Sequence, residues 1–330
     1  MKIVICDYKT DLARDLTYEK KRLEDALPGV EIEVYEYKDN KAELIDMLSD
    51  ADAVINTYVT FDRDVLSRCK RLKAIALNAV GYNMVDVDAA SEFGVMVCPA
   101  SEYCTVEVAE HTMTLIFALC RGLRKYIHSI EDHVWDYTVG GNLERISGKT
   151  LTVFGFGKIG KAVAHRAQAM GMNVQIVSRS LKPEKAKELA LKLVDCDTAL
   201  ATSDIISNHQ ELNAKTAGFF DLDKFSRCAK HPIFINTGRG GSVIQDDLVT
   251  ALDEGMICAA GLDVLDSESP DLSTLKLLGR DNVIITPHVG FYSIQAARDL
   301  QDISCHTIIC AMKGNYDGIS SIVNRAALKL

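Results

Sequence analysis

Short apolar runs alternate with amphipathic segments along almost the whole chain. The first series consists of KIVICDY, VEIEVYEY, ADAVINTY, LKAIALNAV and GVMVCPA, with helix-like segments such as TYEKKRLEDAL between them. A second series starts at KTLTVFGFG and continues through MNVQIVSRS, SDIISNHQE, HPIFINTGRG, MICAAGLDVL and NVIITPHVG. Short β-branched runs that alternate with helices are typical of βαβ units and parallel sheets. The pattern therefore predicts an α/β protein with two doubly wound parallel sheets.

Two longer segments have a helical pattern. The segment VEVAEHTMTLIFALCRGLRKYIHSI, from about Val106 to Ile130, predicts one long amphipathic helix because it contains strong helix formers and no proline. The segment SIQAARDLQDISCHTIICAMKG, from Ser293, predicts a helix that returns to pack on the first domain. A chain of 330 residues suits two domains of roughly 150 residues each. We predict one domain from residues 1–100 together with 293–330 and a second from residues 101–292.

Composition narrows the range of partners. The net charge of −9 and the lack of a basic stripe argue against nucleic acid or an anionic membrane as a partner. No run of eighteen apolar residues and no N-terminal leader pattern is present. The ten cysteines form no C-x-x-C pair, which favours reduced thiols over disulfides or a zinc site. We predict a cytoplasmic protein without a metal site.

One glycine turn has the spacing of a dinucleotide-binding motif. Gly155, Gly157 and Gly160 match G-x-G-x-x-G, with Lys158 and Ile159 between the last two glycines. The apolar run LTVF precedes the turn and the helical segment KAVAHRAQAM follows it. We expect the first glycine to make the turn, the second to admit a pyrophosphate and the third to let the helix approach the sheet. The alternative is an ordinary tight turn between a strand and a helix.

The residues at the end of the next predicted strand, in MNVQIVSRS, indicate whether the cofactor is NAD(H) or NADP(H). NAD-specific sites place an acid there to bind the ribose 2′-hydroxyl. Here the position is occupied by Ser178, followed by Arg179 and Ser180, with Lys182 close behind. A cation between two hydroxyl groups suits a 2′-phosphate. The sequence therefore predicts NADP(H) in preference to NAD(H); the alternative is a solvated strand end in an enzyme that uses NAD(H) or both.

Charged residues follow three later strands. FINTGRGG contains Arg239, GLDVLDSES contains Asp263, Asp266 and Glu268, and ITPHVG contains His288. Ligands of open parallel sheets bind at the carboxyl ends of the strands, so these side chains should converge. An arginine suits a substrate carboxylate, a histidine exchanges protons near neutral pH, and a carboxylate orients and charges the histidine. Each residue alone could be an ordinary loop residue, but together they predict hydride transfer coupled to proton transfer on an acid.

The motifs FGFGKIG, INTGRGGSV, AAGLDVL and TPHVG, in this order, resemble the D-isomer-specific 2-hydroxyacid dehydrogenases across essentially the whole chain. EYCTVEVAEHTMTL, VWDY and HVGFYS resemble the branch related to the C-terminal binding proteins. The resemblance implies a flavodoxin-like substrate domain and a Rossmann dinucleotide-binding domain. It also implies reduction of a small 2-keto acid to a D-2-hydroxy acid, and a homodimer joined through the region from Val106 to Tyr137. The apolar run MTLIFAL in that region suits such an interface and equally suits a simple core helix.

The same resemblance implies residue roles. Arg239 would bind the substrate carboxylate and keto oxygen, His288 would be the general acid or base, and Glu268 would hold and charge His288. The backbone of Val80 and Gly81 would form a second carboxylate cradle, and we expect the pocket walls to include Tyr58 and Tyr292. Asp263 would bind the nicotinamide amide and Thr105 would lie near the nicotinamide. The remaining cofactor contacts would be His209, Thr237, Gly238 and Gly290.

Departures from the family pattern leave alternatives open. Ser269 separates Glu268 from Pro270, so Asp266 is a second candidate partner for His288. Glu211 stands where a proline is common, in a loop that would border the cofactor. A non-catalytic dinucleotide-sensing scaffold is the alternative function, although an intact Arg239, Glu268 and His288 set favours catalysis. Formate oxidation is less favoured, because the related formate enzymes pair the histidine with glutamine.

Overall fold

Two parallel sheets organise the chain, and each belongs to its own unit. The computed structural model describes all 330 residues: unit 1 contains Met1–Tyr103 and Ser293–Leu330, and unit 2 contains Cys104–Tyr292. Every pair of neighbouring strands is parallel. The predicted fold class, α/β with two doubly wound parallel sheets, is therefore confirmed.

The sheet of unit 1 has five strands in the order β2-β1-β3-β4-β5, which is the flavodoxin-like order. Its inner strands are buried along their length, as expected for a sheet covered on both faces, and this explains their continuous apolar sequences. The strands are β1 Lys2–Asp7, β2 Glu31–Glu36, β3 Ala53–Asn56, β4 Ala74–Leu77 and β5 Met96–Pro99. The helices between and after them are α1 Leu16–Ala26, α2 Lys41–Leu48, α3 Arg63–Arg68 and α4 Val87–Glu92, with a 3₁₀ turn at Asp11–Ala13.

The sheet of unit 2 has seven strands in the order β12-β11-β10-β9-β6-β7-β8. The chain runs outward from β6 to β8 and then returns to β9 on the other side of β6, which is the Rossmann order. The strands are β6 Thr150–Phe154, β7 Asn173–Val177, β8 Lys192–Leu193, β9 Ile205–Asn208, β10 Ile233–Asn236, β11 Ala259–Leu262 and β12 Val283–Ile285. The helices are α5 Thr105–Cys120, α6 Leu123–Glu131, α7 Lys158–Ala169, α8 Pro183–Glu188, α9 Cys196–Thr202, α10 Leu222–Ser226 and α11 Gln245–Asp253, with 3₁₀ turns at Tyr137–Gly140 and Gly240–Ser242.

The prediction of one long helix from Val106 to Ile130 is wrong. The chain forms α5 and α6 with a break at Gly122, whose φ of 60° is left-handed and suits glycine. The MTLIFAL run in α5 is part of the core, because Met113, Leu115 and Ile116 are buried against unit 2's sheet and α7. It is therefore not an exposed surface.

The helix predicted from Ser293 is present and returns to unit 1. It is α12, Ile294–Met312, and the Ser293 hydroxyl caps it by accepting the N–H of Ala296. Its Cys305 and Ile308 are buried in the core that also contains strands β1, β3 and β4. A 3₁₀ turn at Tyr316–Gly318 and helix α13, Arg325–Leu328, complete the unit. None of the helices is long and apolar enough to cross a bilayer.

Candidate active site

The three glycines of the turn after β6 have three different surroundings. Gly155 has a φ of 92°, and a Cβ there would lie 2.6 Å from the carbonyl oxygen of His209. A Cβ on Gly160 would collide with the carbonyl oxygen of Gly155. A Cβ on Gly157, which is the N-cap of α7, would meet no atom within 4 Å. The turn thus leaves open space beside the N-terminus of a twelve-residue helix, where backbone N–H groups favour an anion.

The loop after β7 lies beside this turn, because the Gly155 amide donates to the carbonyl of Val177 at 2.9 Å. The Ser178 hydroxyl oxygen accepts the N–H groups of Ser180 and Leu181, each at 3.2 Å, and so shapes the loop. The side chains of Arg179 and Lys182 are exposed, and neither forms an ion pair. The strand end therefore presents two cations and no acid.

The loop after β9 contributes His209. Its Nε2 lies 2.8 Å from the hydroxyl of Ser207, which is completely buried. Burial lowers the pKa of His209 to about 4, so its ring is neutral at physiological pH. Its carbonyl oxygen faces Gly155 closely enough to exclude a side chain there. His209 therefore borders the glycine turn as an uncharged group.

The loop after β10 is held from two sides. The Thr237 hydroxyl lies 2.8 Å from the hydroxyl of Thr112 in α5, and both residues are buried. The Gly238 amide donates to the Asn236 side chain at 3.1 Å. Arg239 donates from Nη1 to the carbonyl of Gly238 at 2.9 Å. The base of the loop is thus fixed while the arginine remains partly exposed.

Gly240, directly after Arg239, lets this loop meet the next one. A Cβ on Gly240 would collide with the carbonyl oxygen of Leu265, the residue before Asp266. The loop that carries Arg239 therefore packs directly on the segment that leads to Glu268. The sequence INTGRGG explains this approach, because only glycine fits it.

His288 and Glu268 form a hydrogen-bonded pair of ionisable side chains in the site. His288 Nδ1 lies 2.7 Å from Glu268 Oε2, and the two side chains are 32% and 63% exposed. The hydrogen bond from His288 lowers the pKa of Glu268, against the effect of burial, and the nearby charge of Arg239 lowers it further. Asp266 makes no hydrogen bond to His288. The structure thus brings Arg239, Glu268 and His288 together and places Glu268, rather than Asp266, on the histidine.

Asp263 anchors the segment that carries His288. Its backbone carbonyl accepts the His288 N–H at 2.8 Å, and its carboxylate accepts the N–H groups of Val289 and Gly290, each at 2.9 Å. The Thr286 hydroxyl donates to Oδ1 at 2.5 Å. Burial alone would raise the pKa of Asp263, but these hydrogen bonds and the nearby ring of His111 outweigh it and lower the pKa. Asp263 is therefore a buried carboxylate that stays ionised.

Sequence reasoning missed three residues of this arrangement: His111, Thr112 and Thr286. His111 and Thr112 are neighbours in α5 and contact two separate loops, through Thr286 and Thr237 respectively. No sequence motif marks either residue as part of a site, because histidine and threonine are common in helices that pack in a protein core. Only the folded chain brings them to the strand ends.

The other predicted site residues occupy several places. Tyr58 follows β3 and Val80 and Gly81 follow β4, at the carboxyl edge of the sheet of unit 1. Tyr292 is exposed near the end of unit 2. The remaining three begin helices: Thr105 is the first residue of α5, and Lys158 and Ile159 are the first two of α7. Their contacts with cofactor or substrate stay predictions.

Comparison with known proteins identifies relatives over most of the chain. A glyoxylate reductase of Thermococcus litoralis is 32% identical over 311 residues, which covers 90% of this chain and 92% of the relative. A hydroxypyruvate reductase of Blautia hydrogenotrophica is 30% identical over 282 residues, 83% of this chain and 86% of the relative. A D-3-phosphoglycerate dehydrogenase of Archaeoglobus fulgidus is 33% identical over 87% of this chain. The chain spans about half the length of that last relative, 54%.

Solved structures agree with these relatives. A D-lactate dehydrogenase with NAD+ from Lactobacillus jensenii has a TM-score of 0.81 at 28% identity, covering 98% of this chain and 99% of the other. An acyclic imino acid reductase in complex with NADPH and D-Arg has a TM-score of 0.85 at 26% identity, covering 96% and 98%. The family model described as D-isomer specific 2-hydroxyacid dehydrogenase, NAD binding domain, matches residues 113–290. The chain therefore belongs to the D-isomer specific 2-hydroxyacid dehydrogenase family.

Proposed function

We propose that this protein is a nicotinamide-dependent oxidoreductase that reduces a small 2-keto acid to the D-2-hydroxy acid. The observation that carries this proposal is the pair of His288 and Glu268, 2.7 Å apart with Arg239 nearby. These groups lie at the carboxyl edge of the sheet that also bears the glycine turn. Ligands bind at this edge in open α/β sheets.

The glycine turn fits a dinucleotide. The space beside Gly157 and the N–H groups at the start of α7 would hold the pyrophosphate. The loops at His209, Thr237 and Gly238 would border the cofactor, and Asp263 would bind the nicotinamide amide. When bound, the reduced nicotinamide supplies the hydride.

The protein's own residues would bind the acid and transfer the proton. Arg239 presents a guanidinium that suits a carboxylate, so it would bind and orient the keto acid. Because His288 uses Nδ1 for Glu268, its Nε2 is the atom that would give a proton to the keto oxygen. The Glu268 carboxylate would hold Nδ1 and so fix the orientation of the ring. In the reverse direction, Nε2 would accept the hydroxyl proton.

A panel of 2-keto acids, from glyoxylate to phenylpyruvate, tests the proposal with both reduced nicotinamide cofactors. We expect at least one acid to be reduced, and its D-isomer to be the substrate of the reverse reaction. Failure to reduce every acid, with NADPH and NADH binding intact, would favour the non-catalytic dinucleotide-sensing scaffold instead. Acids that differ only in the side chain would show which walls matter, with Tyr58 and Tyr292 as the first candidates and Val80 and Gly81 as the carboxylate cradle.

We further propose that NADP(H) is preferred to NAD(H). Arg179 and Lys182 are exposed and form no ion pair. The end of β7 bears no acidic residue that would repel a 2′-phosphate. Similar structures contain either cofactor, since the imino acid reductase holds NADPH and the D-lactate dehydrogenase holds NAD+. The ratio of kcat/KM for NADPH over NADH, measured with one good keto acid, should exceed one. A ratio clearly below one would make Arg179 an ordinary surface residue.

We propose a homodimer joined through α6 and the segment that follows it. The 3₁₀ turn at Tyr137–Gly140 is tied to α6 because the Tyr126 hydroxyl donates to the carbonyl of Tyr137, and the Ser129 hydroxyl donates to the carbonyl of Val134. This ordered surface is apolar, and Trp135 is 92% exposed. Its exposed apolar residues are Leu123, Ile127, Ile130, Val134, Trp135 and Tyr137.

Light scattering of the protein should give twice the chain mass of 36.3 kDa at micromolar concentration. Trp135→Ser should raise the dimer dissociation constant, while Met170→Ser, at an exposed apolar position outside this surface, should not. A monomer mass for the unaltered protein would end the proposal. Nucleic acid and membranes are not among the partners that we propose, and a cytoplasmic location stays a prediction.

A further inference from the structure

His111 lies in α5, outside the loops at the strand ends, and no proposed step of the reaction uses it. Its Nε2 is 2.9 Å from the Thr286 hydroxyl oxygen and 3.4 Å from Asp263 Oδ1. Its side chain is 19% exposed, so the contact is largely shielded from water. A largely buried histidine next to a buried carboxylate has either a functional or a structural role.

The hydrogen-bond directions in this cluster follow from the number of available protons. Asp263 is ionised and can only accept, so the Thr286 hydroxyl gives its single proton to Oδ1 over 2.5 Å. The Thr286 oxygen must then accept from His111, and the proton of His111 lies on Nε2. Both the neutral ring with its proton on Nε2 and the imidazolium can make this bond. The cluster therefore runs from His111 through Thr286 to Asp263.

The far end of this chain of hydrogen bonds holds the segment that carries His288. Asp263 binds the N–H groups of His288, Val289 and Gly290 through its carbonyl and carboxylate oxygens. His111 also packs against the segment directly, because a Cβ on Gly290 would lie 3.3 Å from His111 Cδ2.

This segment needs outside support. His288 has a φ of 50°, a left-handed conformation that is unfavourable for a residue with a side chain. The hydrogen bonds to Asp263 hold the backbone in that conformation, and the His288–Glu268 hydrogen bond fixes the side chain. Loss of an anchor would let the segment relax toward a more ordinary backbone.

We propose that His111 is a positioning residue for His288, acting through Thr286 and Asp263. By donating to Thr286 it fixes the hydroxyl so that its proton points at Asp263, and it closes the space behind Gly290. This inference rests on the proposed function for its kinetic readout, but the position of His288 can be measured without turnover.

The kinetic test compares His111→Leu, which removes the donor, with His111→Gln, which keeps an N–H donor at a similar reach. We expect the leucine variant to lose about tenfold in kcat, the size of one buried hydrogen bond, with KM for the keto acid changed less than about threefold. The glutamine variant should recover most of the loss. The primary deuterium isotope effect with 4-deuterated reduced cofactor should rise in the leucine variant, because a misplaced His288 slows the hydride step.

His165→Leu is the matched control, because His165 is an exposed histidine in α7 that makes no hydrogen bond. It should keep kcat and the isotope effect of the unaltered protein. If His111→Leu does not fold, Thr286→Val cuts the same chain of hydrogen bonds with little change of shape and should show the same loss. Unchanged kcat in His111→Leu, or an equal loss in the leucine and glutamine variants, would overturn the proposal.

Histidine-selective NMR distinguishes this inference from the proposed reaction. The His288 ring signals, assigned with His288→Ala, should move in His111→Leu and stay in place in His165→Leu. If no keto acid is reduced but the signals move, the positioning role stands and the proposed function fails. If keto acids are reduced and both the signals and kcat are unchanged in His111→Leu, the positioning role is wrong.

Discussion

Two buried aspartates at the carboxyl edges of the two sheets show how differently the same architecture can use one side chain. Asp7 is the last residue of β1 in unit 1, and Asp263 directly follows β11 in unit 2; they are 0% and 3% exposed. Asp263 accepts hydrogen bonds on both carboxylate oxygens, and its pKa is lowered. Asp7 accepts the N–H groups of Tyr8 and Tyr58 on Oδ1, while Oδ2 has no hydrogen bond.

Burial raises the pKa of Asp7, and the nearby Thr57 side chain and the N–H of Tyr58 oppose this effect without cancelling it. Equal burial therefore gives opposite shifts, because the number of donors decides which charge state is stable. The other polar side chains at the carboxyl edges of the two sheets also differ. Unit 2 exposes the hydrogen-bonded pair of His288 and Glu268, whereas the edge of unit 1 has the buried amide of Asn56, which bonds only the backbone of Val59. The edge of unit 2 thus exposes ionisable side chains, whereas these buried polar groups of unit 1 fix the loops that follow its strands.

The largest expected effect is at the carboxyl edge of unit 2. His288→Ala should lower kcat by roughly a hundredfold or more, because it removes the proposed general acid. Steady-state kinetics with a good keto acid measures this, and intact cofactor binding by the variant serves as the control. Reduction of every accepted keto acid at the unaltered rate would show that the pair of His288 and Glu268 is not catalytic.

Arg179→Ala tests whether a positive charge at the carboxyl edge of unit 2 binds the 2′-phosphate of NADPH. Arg179→Ala should weaken NADPH binding by roughly ten- to a hundredfold, since a charge-assisted hydrogen bond contributes about 1.5 to 3 kcal/mol. NADH binding should hardly change, and Lys185→Ala, which removes a lysine already paired with Glu188 at 2.7 Å, is the control. Fluorescence titration of each cofactor gives the two dissociation constants. Equal losses for NADPH and NADH would contradict the assignment.

Asp263→Asn tests whether Asp263 stabilises the folded protein as an ionised carboxylate, in contrast to Asp7. It should lower the free energy of unfolding by about 2 kcal/mol near pH 7, because the amide cannot accept on both sides. Since the pKa of Asp263 is lowered in the folded state, its stabilisation is complete above about pH 4 and is lost as pH falls through the folded pKa. Urea unfolding from pH 3 to pH 7 should show the gap between the variant and the unaltered protein shrinking toward acid. A gap that grows toward acid would mean that Asp263 is protonated when folded.

Glu268→Gln separates the two candidate partners of His288. Without the carboxylate, His288 loses the charged acceptor that orients its ring, so reductive kcat/KM should fall. Asp266→Asn, whose side chain makes no hydrogen bond to His288, should leave kcat/KM unchanged. The opposite pattern would transfer the role to Asp266.

Asp7→Asn should have the smallest effect, below about 1 kcal/mol at neutral pH. The amide oxygen can still accept the two backbone N–H groups, and no buried charge remains. Because the pKa of Asp7 is raised by folding, the unaltered protein loses stability as pH rises from about 4 through the folded pKa. The variant should therefore gain on the unaltered protein over that range in the same urea experiment. A loss as large as that of Asp263→Asn would erase the contrast between the two edges.

The sequence predicted those parts of the molecule that depend on backbone rules. Gly155 and Gly160 can be assigned from spacing, because a left-handed φ and close backbone contacts exclude a side chain there. Gly157 has the same spacing, and it leaves the space at the start of α7 open. Arg239 and His288 can be assigned to one edge, because strands of a parallel sheet all end there. These rules need no knowledge of distant partners.

Contacts between distant segments were not predictable. His111 and Thr286 are 175 residues apart, and nothing in EYCTVEVAEHTMTL indicates a partner for the histidine. Asp7 and Asp263 both follow apolar runs, so sequence alone cannot show which one receives enough donors to stay ionised. The break at Gly122 depends on a left-handed φ that one glycine within a helical pattern permits but does not require.

The return of α12 to unit 1 has a consequence for synthesis on the ribosome. The strands of unit 1 are complete by residue 103, but the helix that covers one face of its sheet begins at Ile294, roughly 190 residues later. At roughly 5–20 residues per second, the nascent sheet waits about 10–40 s for its own cover. Unit 2 is continuous and emerges whole during this interval. A chain whose synthesis ends just before Ile294 would therefore have a complete unit 2 but an uncovered apolar face on the sheet of unit 1, which is a target for chaperones and proteases.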